Sequence, residues 1–207
     1  YNVNTDMVTI EKGKTFSWGG KYSDDYSTRD TLYTDLGVFE NYTPNIPESV
    51  ETEYLYLGNI QPSLQLDVIN KIKSKQRIVS DTMNLWIDLD LNGLWEVIKL
   101  TNIFLLNDEE AMQLTGKKDL HQIGKQLLES GPDTVIIKKG ANGSTLFSSN
   151  GIIEMPVYDQ IELFDPTGAG DSFAGGLVGY ISKYGEINIE DALIHATATA
   201  SFTVSDF

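Results

Sequence analysis

The chain has no cysteine and only two histidines among its 207 residues. The missing thiols exclude disulfide bonds and thiolate chemistry and agree with a reducing, cytoplasmic setting. His121 and His195 stand apart from any ligand cluster and read as surface or packing residues. Basic residues are scarce as well: 15 Lys and Arg face 30 Asp and Glu, a formal net charge of −15. Without a basic run, nucleic acid and anionic membrane surfaces are poor partners. Any phosphate must be held by backbone N–H groups, a few lysines or a metal ion. No signal-like or membrane-spanning apolar stretch occurs. The chain does not open on Met, and the helical pattern of Ile189, Ala192, Leu193, Ala196 and Ala200 meets no Gly or Pro stop before Phe207. It therefore reads as an internal piece of a longer protein.

What is present suffices for a sizeable core: 41% of residues are hydrophobic, enough for one large domain with an appendage. Residues 7–44 are rich in Thr, Tyr, Phe and Trp. Leu32, Thr34, Leu36 and Val38 recur at the period of two expected of half-buried strands, with turns at Gly19-Gly20 and Ser23-Asp24-Asp25. This predicts a small antiparallel sheet in residues 1–47, set off by Pro44 and Pro47 and suited to a lid or a pairing surface. From residue 48 to 207 the rhythm is different. Strands at 53–60, 77–83, 103–106 and 134–139 alternate with helices at 63–75, 94–100, from 109, and 120–129. A hairpin then turns at Ser149-Asn150-Gly151. The alternation predicts an α/β fold with a mostly parallel sheet and helices on both faces, whose ligands bind at the carboxyl ends of the strands.

The stretch Asp165-Pro166-Thr167-Gly168-Ala169-Gly170-Asp171-Ser172-Phe173-Ala174-Gly175-Gly176 is the centre of that expectation. Small residues run straight into a helix marked by Phe173, Leu177 and Ile181. Bare N–H groups at the positive end of a helix dipole accept an anion, and Asp171 brings a carboxylate beside them. An ordinary loop with Asp171 on a first helical turn is the plainer alternative. Against it stand Gly175 and Gly176, which each cost about 1 kcal/mol in a helix interior and signal the close approach of a ligand or another backbone.

Three further stretches close predicted strands. Asn107-Asp108-Glu109-Glu110 offers carboxylates for Mg²⁺ through water, or simply a helix cap. Lys138-Lys139-Gly140-Ala141-Asn142-Gly143 permits a tight turn whose backbone faces a nucleotide, and Asp81-Thr82-Met83-Asn84 fits a turn or a binding role equally well. Other likenesses fail on spacing. Gly13-Lys14-Thr15 lacks the first glycine of a P-loop. Asp88-Leu89-Asp90-Leu91-Asn92-Gly93 leads to Lys99 where a calcium loop needs Glu, and Gly168, Gly170 and Gly175 do not form a dinucleotide fingerprint.

The Asp165 to Gly176 stretch resembles the C-terminal signature of the ribokinase (PfkB) family of carbohydrate and nucleoside kinases, and Asn107 with Glu110 resembles its Asn-x-x-Glu motif. The resemblance implies a ribokinase-like three-layer α/β/α fold with a small β-sheet lid over residues 1–47, which in some relatives makes a homodimer interface. It implies an ATP-dependent kinase acting on an alcohol group of a sugar, or alternatively of a nucleoside. A non-catalytic ligand-binding relative is the remaining alternative. Asp171 would be the general base, and Gly168, Ala169 and Gly170 would offer N–H groups to the transferred phosphoryl. Asn107 and Glu110 would organise Mg²⁺ and its waters, with Lys138, Gly140 and Gly143 near the nucleotide. Asp165 and Thr167 match positions that help hold a monovalent cation such as K⁺ in some relatives. The family's N-terminal glycine-rich signature and the part that completes its purine site are expected outside this chain.

Overall fold

Ser17–Tyr22 (β1) and Arg29–Asp35 (β2) pair antiparallel, as the Thr- and aromatic-rich composition of that region predicts. The computed structural model describes residues 3–23, 29–158 and 162–205. Within β1 the register shifts between Gly19 and Gly20, so this pair forms an irregularity inside a strand where a turn was expected. The predicted turn at Ser23-Asp24-Asp25 falls largely outside the described residues. Alternation stops at Asp35, because Gly37–Asn41 tightens into a 3-10 helix and the Val38 N–H donates to Lys14 O at 2.9 Å. Gly13-Lys14-Thr15 is followed by irregular chain and then β1, not by the helix a P-loop requires. The chain divides into two compact units, Tyr1–Val50 and Glu51–Phe207.

Among its described residues, the second unit is built on six strands: Glu51–Leu57 (β3), Ser74–Ser80 (β4), Ile103–Asn107 (β5), Thr134–Lys138 (β6), Ser144–Ser148 (β7) and Gly151–Met155 (β8). They lie in chain order across one sheet, parallel from β3 to β6 and antiparallel from β6 to β8. Ile103, Phe104, Leu105 and Leu106 are all 0% exposed, which requires cover on both faces of β5. Strand alternation supplies it. Ile103, Leu105 and Ile136 pack with Phe173, Leu177, Ile181 and Leu193 on one side. On the other side Phe104, Leu106, Val135 and Ile137 pack with Ile98, Leu114, Ile123 and Leu127.

Among the described residues, seven α-helices make the outer layers: Pro62–Lys71 (α1), Asn84–Leu89 (α2), Leu91–Leu100 (α3), Asp108–Thr115 (α4), Leu120–Glu129 (α5), Ala169–Tyr184 (α6) and Ile189–Val204 (α7). α1 ends before the 63–75 pattern does, since β4 already begins at Ser74. The Asp-rich stretch that mimics a calcium loop is used for capping, where the Asp90 carboxylate accepts the Gly93 N–H at the start of α3. Arg77 of β4 donates to Glu186 Oε1 at 2.7 Å and to Asp133 Oδ1 at 3.0 Å, joining the strand to the α6–α7 connection and to the turn before β6. Hydrogen bonding to Asp133 and Glu186 outweighs burial and raises its pKa. Both histidines are exposed, His121 against the edge of Phe147 and His195 against Tyr180. Among the described residues, no helix is long and apolar enough to cross a membrane.

Candidate active site

The parallel strands β3 to β6 end at Leu57, Ser80, Asn107 and Lys138, and the antiparallel β7 begins beside them because Lys138 pairs with Ser144. α6 starts at this same edge. A Cβ added to Gly170 would lie 3.4 Å from the Lys138 Nζ. Gly168 caps α6 with φ +80°, a left-handed conformation that strains any other L-residue. The turn before it is held by Asp165, whose Oδ1 accepts the Thr167 N–H at 2.8 Å. That bond lowers the Asp165 pKa.

Helix starts leave N–H groups without partners, and this one keeps several. The N–H of Ala169 donates to Pro166 O at 3.2 Å and that of Ser172 to Gly168 O at 2.9 Å. Among the described residues, no acceptor meets the N–H groups of Gly168, Gly170 or Asp171. Ala169 is thus engaged in this conformation, and the open donors are its neighbours. Asp171 sits on the first turn with an exposed side chain.

Lys138 is the cation of the site. Its Nζ is 2.7 Å from Asp81 Oδ2, with side-chain exposures of 17% and 6%. Burial alone would lower the Lys138 pKa, but Asp81 above all, then Glu110 and Asp171, hold it above the ordinary lysine value. Asn107 and Glu110 form a capping box at the start of α4: Glu110 N donates to Asn107 Oδ1 at 2.7 Å, and Asn107 N to Glu110 Oε2 at 2.8 Å. The capping alternative is therefore realised, and it leaves Glu110 buried within electrostatic reach of Lys138.

The two later glycines of the Lys138 stretch differ. Gly140 opens a 3-10 turn with nothing within 4 Å of where a Cβ would stand, whereas a Cβ on Gly143 would collide with Met155 O. Gly143 serves the close approach of that backbone. Gly176 has a similar reason, since a Cβ there would stand 2.9 Å from Ala196 Cα and 3.0 Å from His195 O on α7. Gly175 is exposed and meets nothing.

Tyr56, Thr82 and Ser144, at the ends of β3, β4 and β7, each bury a hydroxyl oxygen that has no partner among the described residues. Burial, followed by the charges of Asp81 and Asp171, raises the Tyr56 pKa. Unpartnered buried hydroxyls are costly and suit a site completed by a polar ligand. No group of three or more His, Asp or Glu that could hold a metal by itself occurs among the described residues. A magnesium ion would draw on phosphate oxygens and water, with Glu110 reaching it through water, as Mg²⁺ commonly does. Sequence reasoning left Asp81 open between a turn and a binding role and missed Tyr56 and Ser144. For Asp81 the available signal was its place at the end of the apolar Ile78-Val79 strand.

A mostly parallel sheet between two helical layers, with an open helix start at its carboxyl edge, defines a ribokinase-like α/β protein. Solved structures agree. The Methanocaldococcus jannaschii nucleoside kinase, an archaeal member of the ribokinase family, superposes with TM-score 0.76 at 23% identity over 95% of this chain and 63% of that one. A putative ribokinase II from E. coli in complex with ATP and Mg²⁺ gives TM-score 0.77 at 20% identity over 96% and 67%. The chain belongs to the pfkB family of carbohydrate kinases, whose profile matches residues 1–207. It is 28% identical to the cytidine kinase of Thermococcus kodakarensis over 84% of this chain, and 28% identical to the nucleoside kinase of M. jannaschii over 81%. The mouse ribokinase is 34% identical over 51% of this chain and 34% of its own. The chain spans 64% and 54% of the lengths of the cytidine and nucleoside kinases.

Proposed function

We propose that the whole protein transfers the γ-phosphoryl group of ATP to an alcohol group of a sugar or sugar-like acceptor, with Asp171 as general base. The observation that carries this reading is the start of α6, where Asp171 lies on the first turn with the unpartnered N–H groups of Gly168 and Gly170, and where the Lys138 ammonium lies against Gly170 within electrostatic reach of Asp171. Asp171 takes the proton of the acceptor hydroxyl as its oxygen bonds to phosphorus, and the bond from phosphorus to the ADP oxygen breaks. The N–H groups and Lys138 meet the charge that develops on the phosphoryl oxygens. Glu110, oriented by Asn107, would hold Mg²⁺ through water, and Gly140, with nothing within 4 Å of where a Cβ would stand, would border the nucleotide. ATP supplies the phosphoryl group and Mg²⁺ neutralises its charge. Asp165 and Thr167 are the candidates for a monovalent-cation site.

A nucleoside acceptor is the second reading. It is supported by the cytidine kinase and the nucleoside kinase, which align over 84% and 81% of the chain. The test is ADP release by the full-length protein over a panel of sugars and nucleosides, with and without Mg²⁺ and K⁺. Asp171→Asn should reduce turnover at least ~10²-fold while nucleotide still binds. Unchanged turnover sinks the base assignment, and nucleotide binding with no ADP release across the panel favours a non-catalytic relative.

A further inference from the structure

We propose that Asp81 is a positioning residue for phosphoryl transfer: it holds the Lys138 ammonium at the edge of the α6 start, so that the cation waits where the phosphoryl oxygens will gather charge. The inference rests on the kinase reading above and adds a residue to it.

Asp81 is anchored by every polar group it owns. Its N–H donates to Leu57 O at 3.0 Å, and its carbonyl accepts from the buried Gln65 Nε2 at 3.1 Å. Gln65 also donates to Gly58 O at 2.9 Å, so the ends of β3 and β4 are stapled together around this residue. The carboxylate is equally committed. Oδ1 accepts the Thr82 N–H at 2.9 Å, and Oδ2 accepts from Lys138 at 2.7 Å. A residue fixed through all of these groups is an immobile mount for a lysine, whose long stem otherwise carries considerable rotamer entropy.

Lys138 has three carboxylates within electrostatic reach, Asp81 from the end of β4, Glu110 from α4 and Asp171 from α6, with the Tyr56 hydroxyl of β3 also near Asp81 and Asp171. It is bonded to Asp81, the one of the three to which the proposed function assigns no role. This choice has two consequences. Asp171 is left unpaired by lysine and available to a substrate hydroxyl. The ammonium also stays charged in a buried setting that would otherwise favour its neutral form. An ion preset in this way needs little rearrangement when the transition state forms, which is the condition for effective electrostatic stabilisation.

The test uses the full-length protein and two measurements, ADP release with Mg²⁺ and calorimetric binding of ADP without it. With Asp81→Asn, kcat should fall about 10-fold or more, with ADP affinity near pH 7 changed by less than about 3-fold. Mg²⁺-free ADP binding should then weaken as pH rises from about 7 to about 10, because Lys138 loses the partner that keeps it protonated. Wild-type binding should stay flat over that range. Asp81→Glu should restore part of both properties. In a Lys138→Met background Asp81→Asn should add almost nothing, since both act through one cation. Wild-type kcat and a flat pH profile in Asp81→Asn would overturn the proposal. So would a raised Mg²⁺ requirement with a flat profile, which would make Asp81 a metal residue. If Asp81→Asn does not fold, a wild-type affinity that already collapses over this pH range has the same force. Loss of turnover in Asp171→Asn together with wild-type behaviour of Asp81→Asn would refute this inference alone and leave the kinase reading standing.

Discussion

Asn107 and Glu110 cap one another: each side chain accepts the backbone N–H of the other, at 2.7 and 2.8 Å. The same pair is assigned to Mg²⁺ in the proposed function, so structural and catalytic roles must be separated by the choice of variant. Asn107→Ala should cost about 1 kcal/mol of stability through the lost cap. Glu110→Gln keeps the reciprocal bond, because glutamine also serves at the third position of a capping box. Its melting temperature should stay near wild type, while the Mg²⁺ concentration for half-maximal ADP release rises about 10-fold. An unchanged Mg²⁺ titration would remove Glu110 from the metal's surroundings.

The adjacent glycines of α6 should respond in opposite directions. Gly175→Ala adds a methyl group in open space and should stabilise the helix by up to about 1 kcal/mol. Gly176→Ala drives a methyl group against Ala196 Cα and His195 O, which part only if α6 and α7 separate. A loss of about 1–3 kcal/mol is expected in denaturant titration. Loss of nucleotide affinity in folded Gly175→Ala would instead place a ligand against that glycine.

Acid should weaken the fold through two carboxylates. Lys139, aided by the Thr145 hydroxyl, holds the Glu154 pKa below its ordinary value, and the Thr167 N–H does the same for Asp165. Since the folded-state values lie below the unfolded ones, their stabilisation is complete above the ordinary carboxylate range and is lost as pH falls through about 4. Melting temperature should fall over that window, and the fall should be shallower in Glu154→Gln. An identical profile in the variant would deny the Lys139 pair any linkage.

The β1–β2 sheet leaves Leu32 and Tyr33 66% and 55% exposed, and a two-stranded sheet is marginal by itself. We expect it to pair two copies of the full-length protein. Light scattering should give twice the chain mass, and Leu32→Asp should return the protein to a monomer. A monomeric wild type would count against pairing.

Local patterns were legible wherever neighbours along the chain carried the physics. The apolar runs of β5 and β6 announce doubly covered strands, Asn107 and Glu110 announce a cap, and the small residues before Asp171 announce an open helix start. Short or ambiguous pieces were not legible. α2 has six residues, too few to show a period, and Gly19-Gly20 looks the same in sequence whether it turns a chain or interrupts a strand.

Taken alone, the sequence determined the layered α/β class, the carboxyl-edge placement of its motifs and the resemblance to a kinase family, because each depends on spacing within a few residues. Tertiary structure alone decided that Lys138 reaches Asp81, 57 positions away, and lies against Gly170. It also decided that Gly176 answers to the close approach of α7. Those contacts follow from the order of strands in the sheet and from the packing of α6 on its neighbour, and no local pattern encodes which distant residues such packing brings together.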